Sequence, residues 1–211
     1  MGLLKKFFNQ TRKPGGFLGN VMLNRMNIGH AKLSDWGMSK LPEIAPETVA
    51  DMGCGGGRNA AVLLKKYPSA KLTAVDYSPL SVERTKKYNA RAVSDGRCAV
   101  LEASVADLPL QPDMMDFVTA FETIYFWPGL ETCFKEIYRI LKPGGKFFIV
   151  NESDGKDEVS LKFEKIIDGM RTYTPEKIRD ALEKAGFSRI EIFHHENKPW
   201  IAILADKSGA A

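Results

Sequence analysis

The chain reads Asp51-Met52-Gly53-Cys54-Gly55-Gly56-Gly57-Arg58 between a short apolar run and a helical pattern. Glycine permits the positive φ angles of a tight turn and lets the backbone approach a bound molecule closely. A helix that begins directly after such a turn presents free N–H groups and the positive end of its dipole, which favour an anion. The run therefore predicts a strand, a ligand-binding loop and a helix, in that order.

On both sides of this loop, apolar runs of strand length alternate with helical patterns, which is typical of a parallel α/β sheet. The predicted strands are Thr48–Met52, Lys71–Asp76, Cys98–Ala103, Phe117–Phe121, Lys146–Asn151, Arg189–His194 and Trp200–Ala205. The predicted helices between the first five strands are Arg58–Tyr67, Pro79–Val93 and Leu130–Leu141. A loop of hairpin length separates the last two strands. The sequence therefore predicts a mostly parallel seven-stranded sheet with a C-terminal antiparallel hairpin and helices on both faces.

Two acids restrict the ligand of the glycine loop. A P-loop requires Gly-Lys-Ser/Thr, and a dinucleotide fingerprint requires a small residue where Arg58 stands. Asp76 ends the second predicted strand, where a carboxylate can accept hydrogen bonds from both hydroxyls of a ribose. Asp51 precedes the glycines, where its charge repels a pyrophosphate and favours a cation. Together these features indicate S-adenosylmethionine, which carries an adenosine, a sulfonium, an ammonium and a carboxylate.

Five ordered motifs extend this pattern along the chain. They are Val49-Ala50-Asp51-Met52-Gly53-Cys54-Gly55-Gly56-Gly57, Val75-Asp76-Tyr77-Ser78, Leu108-Pro109, Met115-Asp116-Phe117-Val118 and Glu136-Ile137-Tyr138-Arg139-Ile140-Leu141-Lys142-Pro143-Gly144-Gly145. In this set, the chain from about Val49 to Val150 resembles the class I S-adenosylmethionine-dependent methyltransferases, specifically the type 11 small-molecule group. The resemblance implies a Rossmann-like fold, S-adenosylmethionine as the cofactor and methyl transfer as the reaction. It also implies that residues 142–145 form a structural turn into the fifth strand.

The resemblance implies a set of cofactor contacts as well. Asp51, Gly53 and Gly55 would face the methionine part, Asp76 the ribose and Tyr77 the adenine. The further contacts implied are Cys54, Ser104, Val105 and Phe121. Where the family often has Gly-Asp-Ala, this chain has Ala103-Ser104-Val105. The adenine contact would therefore fall to the uncharged Ser104 or to Asp107.

Composition and motifs exclude several acceptors. Methylation of a base amine resembles a family with Asn/Asp-Pro-Pro-Tyr after the fourth strand, whereas Phe121-Glu122-Thr123-Ile124 stands here. Cytosine C5 methylation requires a Pro-Cys nucleophile, and arsenite methylation requires converging thiols. Neither fits the three cysteines, Cys54, Cys98 and Cys133, whose spacing also indicates no zinc site and no disulfide framework. We therefore expect a small-molecule acceptor, no nucleic-acid partner and no metal.

Two residues are candidate catalytic groups. Glu122 follows the fourth strand, where a crevice opens at the carboxyl ends of parallel strands. His30 has an unperturbed pKa near 6.5, which suits a general base, although a packing or capping role is the alternative. A base is needed only if the acceptor carries a proton, since alignment supplies much of the catalysis of an in-line displacement. Trp36, Tyr125 and Tyr173 are candidates for the substrate pocket, with packing inside the protein as the alternative.

Residues 1–45 differ from the rest of the chain, residues 46–211. The net charge is +4, and six basic residues precede the first acid, Asp35, so the remainder is nearly neutral. Leu18, Met22, Leu23 and Met26 follow the spacing of an amphipathic helix. We therefore expect residues 1–45 to form a mobile helical lid over the site. Alternatively, the protein is a non-catalytic or protein-directed cofactor-binding module that uses this basic arm to bind a partner or a membrane surface. No apolar run is long enough to span a membrane, and we expect a cytoplasmic protein. The oligomeric state is not predicted.

Overall fold

The computed structural model describes residues 8–209, with the backbone alone for residues 9, 17 and 24–28. Its centre is a seven-stranded sheet, as the sequence predicts. The strands are β1 (Thr48–Met52), β2 (Lys71–Asp76), β3 (Cys98–Glu102), β4 (Met115–Phe121), β5 (Leu141–Asn151), β6 (Ser188–His194) and β7 (Ile201–Asp206). They are ordered β3-β2-β1-β4-β5-β7-β6. Strands β1 to β5 pair in parallel, and β7 pairs antiparallel to both β5 and β6.

Helices cover the sheet and precede it. They are α1 (Gly16–Gly29), α2 (Ala31–Met38), α3 (Arg58–Lys66), α4 (Pro79–Tyr88), α5 (Ala90–Ser94), α6 (Leu130–Ile140), α7 (Glu158–Ile166) and α8 (Pro175–Lys184). Two of them begin with a side-chain cap followed by proline, because the Ser78 and Thr174 hydroxyls accept backbone N–H groups of the first turn. In the described part of the chain, no helix is long and apolar enough to cross a bilayer.

Three elements differ from the prediction. The helix predicted over Pro79–Val93 is divided at Asn89, whose side chain donates to Gly57 O and Thr85 O. Residues 142–145 lie within β5, whose pairing with β4 steps from Leu141 to Lys146, so the predicted turn is an irregular stretch of the strand. Helices α7 and α8 fill the insertion before the C-terminal hairpin, where the sequence pattern predicts no helix.

The core consists of two apolar layers, one on each face of the sheet. On one face α6 and α8 contribute Phe134, Ile137, Ile178 and Leu182. On the other face α2, α3 and α4 contribute Leu33, Leu63 and Val82. Successive side chains of a strand point to opposite faces, so Val49 enters one layer and Ala50 the other. Helices therefore lie on both faces, as predicted.

The N-terminal arm packs against the sheet through α2. Leu33 is buried, and Gly37 lies so close to β5 that an added Cβ would be 2.6 Å from a Val150 methyl group. On α1, Met22 and Leu23 are buried, Leu18 is exposed, and the predicted contribution of the Met26 side chain lies outside the described residues. The basic tip at Lys5 and Lys6 also lies outside them, so the tether stays a prediction.

Candidate active site

A cavity of about 270 Å³ opens at the carboxyl ends of β1, β2 and β4. The chain moves outward from β1 to β3 and then returns to place β4 on the other side of β1. A parallel sheet whose strand order reverses in this way leaves a ligand crevice at the reversal. The predicted site residues that line the cavity are His30, Gly53, Cys54, Gly55, Asp76, Tyr77, Ser104, Val105, Phe121 and Glu122.

The glycine loop and Asp76 are held together by backbone hydrogen bonds. Gly53 N donates to Val75 O at 2.7 Å, and Gly55 N donates to Asp76 Oδ2 at 3.0 Å. The other carboxylate oxygen of Asp76 accepts from Ser78 N at 2.9 Å. Burial raises the pKa of Asp76, and these donors oppose the rise. The acid and the loop therefore form one preorganised wall of the cavity.

Asp51 does not line the cavity, although the resemblance places it at the cofactor. It is buried in β1, and Thr119 Oγ1 donates to its Oδ1 at 3.0 Å. Its Oδ2 has no hydrogen-bond partner within residues 8–209. Burial raises the pKa of Asp51 to about 7, opposed by the Thr119 bond. Its described contact is therefore with β4, and its predicted role toward the cofactor stays a prediction.

Glu122 occupies an unusual backbone position at the end of β4. Its φ is +59°, in the left-handed region that a residue with a side chain rarely adopts. Its Oε1 accepts from the Tyr125 hydroxyl at 3.1 Å and from Glu152 N. Burial, followed by repulsion from Glu152, raises the pKa of Glu122 to about 8. A carboxyl group with such a pKa can hold or accept a proton near neutral pH.

His30 lies between two carboxylates, so both predicted catalytic residues lie in one cluster. Its Nδ1 is 3.9 Å from Glu122 Oε2, and its Nε2 is 3.8 Å from Glu152 Oε2. Burial lowers the pKa of His30, and attraction to Glu152 opposes this shift. Ligand atoms of the three residues lie within 4.8 Å of one another, so this cluster could also hold a divalent cation. No spacing within one stretch of the sequence predicts this cluster, because His30 lies in the arm, Glu122 follows β4 and Glu152 follows β5.

The three aromatic residues predicted for the substrate pocket do not line the cavity. Trp36 packs against His195 and Trp200, with ring centroids at 5.5 and 6.1 Å. Tyr125 is buried beneath Glu122 and also accepts from Ser153 N at 3.2 Å. Tyr173 packs against the core layer of α6 and α8. The packing alternative therefore describes all three, whereas Phe126 and Trp127, which directly follow Tyr125 in the chain, line the cavity.

The arm supplies lining residues that sequence reasoning did not identify. They are Thr11, Arg12, Pro14, Leu23 and Ser34. The Tyr77 hydroxyl donates to Arg12 O, and Lys13 Nζ lies 5.4 Å from the centre of the Tyr77 ring. Arg58 and Asn59, at the start of α3, were also missed. The position of these two residues directly after the glycine loop is a sequence signal that could have predicted them as lining residues. No local pattern predicts that Arg12 lines the cavity.

Comparison with known proteins identifies the domain that carries this cavity. Residues 50–149 match the family described as a methyltransferase domain. The chain contains a class I S-adenosylmethionine-dependent methyltransferase domain. The cofactor of this family is S-adenosylmethionine. The match runs from within β1 to within β5 and includes the glycine loop, Asp76 and Glu122.

Curated relatives of this methyltransferase domain differ in their acceptors. The chain is 26% identical over 171 residues to the sterol 24-C-methyltransferase of Kluyveromyces lactis, covering 75% of this chain and 46% of the relative. It is 28% identical over 163 residues to the malonyl-[acyl-carrier protein] O-methyltransferase of Geobacter sulfurreducens, covering 72% and 60%. The chain thus spans roughly half the length of these relatives.

A solved structure shares the fold over nearly the whole chain. It is a complex between the Haloferax volcanii Trm112 methyltransferase activator and a methyltransferase. The TM-score is 0.79 at 20% identity, and the alignment covers 90% of this chain and 95% of that chain. The shared fold therefore extends well beyond residues 50–149.

Proposed function

We propose that this methyltransferase domain transfers a methyl group from S-adenosylmethionine to a small protic acceptor in the cavity between β1 and β4. The observation that carries the proposal is that a single cavity is lined both by the glycine loop with Asp76 and by Glu122 with His30. An acceptor of this kind is an amine, a phenol or a thiol.

The described residues fit the cofactor. Gly55 has a φ of +51°, and an added Cβ would meet nothing nearer than Gly53 O at 4.0 Å, so the loop leaves space that a side chain would fill. Two buried polar atoms of lining residues, Arg58 Nη1 and Asn59 Oδ1, have no hydrogen-bond partner in the described structure. When bound, S-adenosylmethionine supplies an electrophilic methyl group. Asp76 would hold the ribose, and Tyr77 and Ser104 would lie at the adenine.

The cluster of His30, Glu122 and Glu152 would take up the proton that a protic acceptor releases. With a pKa near 8, Glu122 is largely protonated at pH 7, and the lowered pKa of His30 keeps that imidazole neutral. A positive charge that enters the cavity favours the ionised form of Glu122. Glu122 then loses its own proton through His30 toward the exposed Glu152 and the solvent, and the ionised carboxylate accepts the proton that the acceptor releases. The aromatic walls at Phe126 and Trp127 exclude water and orient the acceptor.

The test is a transfer assay with methyl-labelled S-adenosylmethionine against amines, phenols and thiols, with an assay of S-adenosylhomocysteine binding on the same protein. We expect Glu122→Gln to lower turnover by 10²-fold or more, a typical loss for a general base, while cofactor affinity stays within a factor of about two. Glu43→Gln is the matched control, since Glu43 is exposed and lines no part of this cavity. Equal turnover in Glu122→Gln would leave catalysis to positioning alone and remove the proposed base.

A further inference from the structure

Two carboxylates meet beside the cavity without a basic side chain to balance them. Glu122 lines the cavity after β4, and Glu152 is exposed after β5, with a ligand atom of each within 4.8 Å of the other. Among the side chains that the structure describes, no lysine or arginine forms an ion pair with either acid. Their partner is His30, and because burial lowers the pKa of this histidine, its ring is uncharged at neutral pH. The two acids therefore lack a counter-cation.

The carboxyl group of Glu122 has one oxygen in use and one available. Its Oε1 accepts from the Tyr125 hydroxyl at 3.1 Å and from Glu152 N. Its Oε2 forms no hydrogen bond with a described residue, since His30 Nδ1 at 3.9 Å is too distant. The side chain is only 10% exposed, yet Oε2 is not among the fully buried atoms that lack a partner, so it keeps accessible surface. On a residue that lines the cavity, this oxygen is placed to accept a hydrogen bond from a bound molecule.

The charge at this place distinguishes between the three acceptor classes. An aliphatic amine is an ammonium ion at neutral pH, and its methylated product is a cation too. A phenol or a thiol attacks most readily as an anion. Carboxylates near the reacting atom attract a cation and repel an anion. Phe126 and Trp127 line the same cavity, and the faces of aromatic rings also attract cations. The described charges therefore favour an amine over the other two classes.

A divalent metal ion is the other cation that these acids could attract. His30 approaches the two carboxylates through different ring nitrogens, Nδ1 toward Glu122 and Nε2 toward Glu152. A single metal ion binds only one nitrogen of a histidine ring. Glu122 also offers one oxygen, because Oε1 already accepts two hydrogen bonds. An ammonium group, with its several N–H donors, fits this arrangement better than a metal ion does.

We propose that the acceptor is an aliphatic amine, which binds as an ammonium ion at Glu122 and Glu152 and loses its proton to Glu122. The proton moves from the ammonium nitrogen to Oε2 of the ionised carboxylate, which becomes a carboxylic acid. The nitrogen lone pair that is left forms the new bond to the methyl carbon. The electron pair of the broken carbon–sulfur bond stays on the sulfur, so the positive charge passes from the sulfur to the methylated nitrogen. This inference rests on the proposed function and narrows its acceptor to one class.

The test is calorimetry on the full chain saturated with S-adenosylhomocysteine, which has no methyl group to transfer. The probes are benzylamine, 4-methylphenol and benzyl mercaptan, which are similar in size and differ in their polar group. Propylamine and 1-propanethiol form a second matched pair. We expect each amine to bind about 10-fold or more tightly than its matched partners, because only the amines bring the missing positive charge.

Three variants assign this preference to the acids. Glu122→Gln keeps the side-chain shape but removes the charge, so it should weaken benzylamine by about 10- to 100-fold and leave 4-methylphenol within a factor of about two. Glu152→Gln, at the more exposed acid, should weaken benzylamine by about 2- to 5-fold. Glu43→Gln removes an exposed acid outside the cavity and should change neither affinity. An unchanged affinity for S-adenosylhomocysteine in each variant would show that the fold is intact.

The possible results are distinct. Preferential binding of the amines that is lost in Glu122→Gln supports the proposal. Equal or tighter binding of the phenol or the thiols would overturn it, as would the absence of binding by either amine or an amine affinity unchanged in Glu122→Gln. Binding of Mg²⁺ that displaces benzylamine and is lost in Glu122→Gln would assign the acids to a metal ion instead. Methyl transfer to phenols or thiols alone would overturn only this inference, whereas a wild-type chain that does not bind S-adenosylhomocysteine would contradict the proposed function itself.

Discussion

Gly53 and Thr123 lie so close that a Cβ atom added to Gly53 would be 2.0 Å from Thr123 Oγ1 and 2.6 Å from Thr123 Cβ. The glycine loop after β1 and the segment after β4 therefore touch with no room for a side chain. Gly53 also has a φ of +74°, which residues with a Cβ rarely adopt. The contact fixes the glycine loop against the segment that carries Glu122.

Gly53→Ala should therefore disrupt both stability and ligand binding. We expect a loss of about 2–4 kcal/mol in the free energy of unfolding, from left-handed strain together with the steric clash. Gly96→Ala is the matched control, since Gly96 has a φ of +70° and an added Cβ there meets nothing within 4 Å. It should lose only about 1–2 kcal/mol and bind S-adenosylhomocysteine normally. Equal losses in chemical denaturation would show that the contact with Thr123 is unimportant.

The pKa of Glu122 predicts a pH-dependent stability. Its folded pKa of about 8 lies above its ordinary value of 4.5, so the folded state binds the proton more tightly. The free energy of unfolding should therefore fall as the pH rises from about 5 to 8, by up to roughly 4 kcal/mol for this one group. Glu122→Gln should remove this part of the slope in urea unfolding at pH 5 and 8, whereas Glu43→Gln should keep it. A slope unchanged in Glu122→Gln would contradict the raised pKa.

Thr119→Val should be more harmful at high pH than at low pH. The Thr119 hydroxyl donates to Asp51, whose pKa burial raises to about 7. At pH 8 the ionised Asp51 needs this donor, so we expect a loss of about 1.5–3 kcal/mol in unfolding free energy. At pH 6 Asp51 is mostly protonated, and the loss should be smaller. A loss independent of pH would show that Thr119 does not support the charge of Asp51.

The proposed lid predicts slower hydrogen exchange in the arm when S-adenosylhomocysteine binds. Leu23, His30 and Ser34 line the cavity, so a bound molecule adds contacts to both α1 and α2. Exchange over residues 17–38 should slow on binding, whereas α8, which lines no part of this cavity, should be unaffected. No change in the arm would reject the lid. Vesicle binding that is lost on deleting residues 1–13 would favour the tether.

The sequence predicts the sheet well because each strand carries its own apolar pattern and turn signals. Six of the seven strands lie within two residues of their predicted bounds, β5 begins five residues earlier than predicted, and the C-terminal hairpin is confirmed. Side-chain direction is harder to predict, because Tyr125 and Phe126 are adjacent in sequence but only Phe126 lines the cavity. Glu152 and Arg12 reach the site through the fold alone, from the end of β5 and from the arm. A local sequence pattern does not predict contacts between residues that are so distant in the sequence.

Calorimetry of Asp76→Asn with S-adenosylhomocysteine tests the central claim most directly. The substitution keeps the side-chain shape but removes the charge that would hold the ribose hydroxyls. We predict that the wild-type chain binds S-adenosylhomocysteine and that Asp76→Asn weakens it by about 10- to 100-fold. The control Asp95→Asn, at an exposed acid after α5, should bind like the wild type. Unchanged affinity in Asp76→Asn, or NADH binding as tight as that of S-adenosylhomocysteine, would contradict the assignment of this cavity.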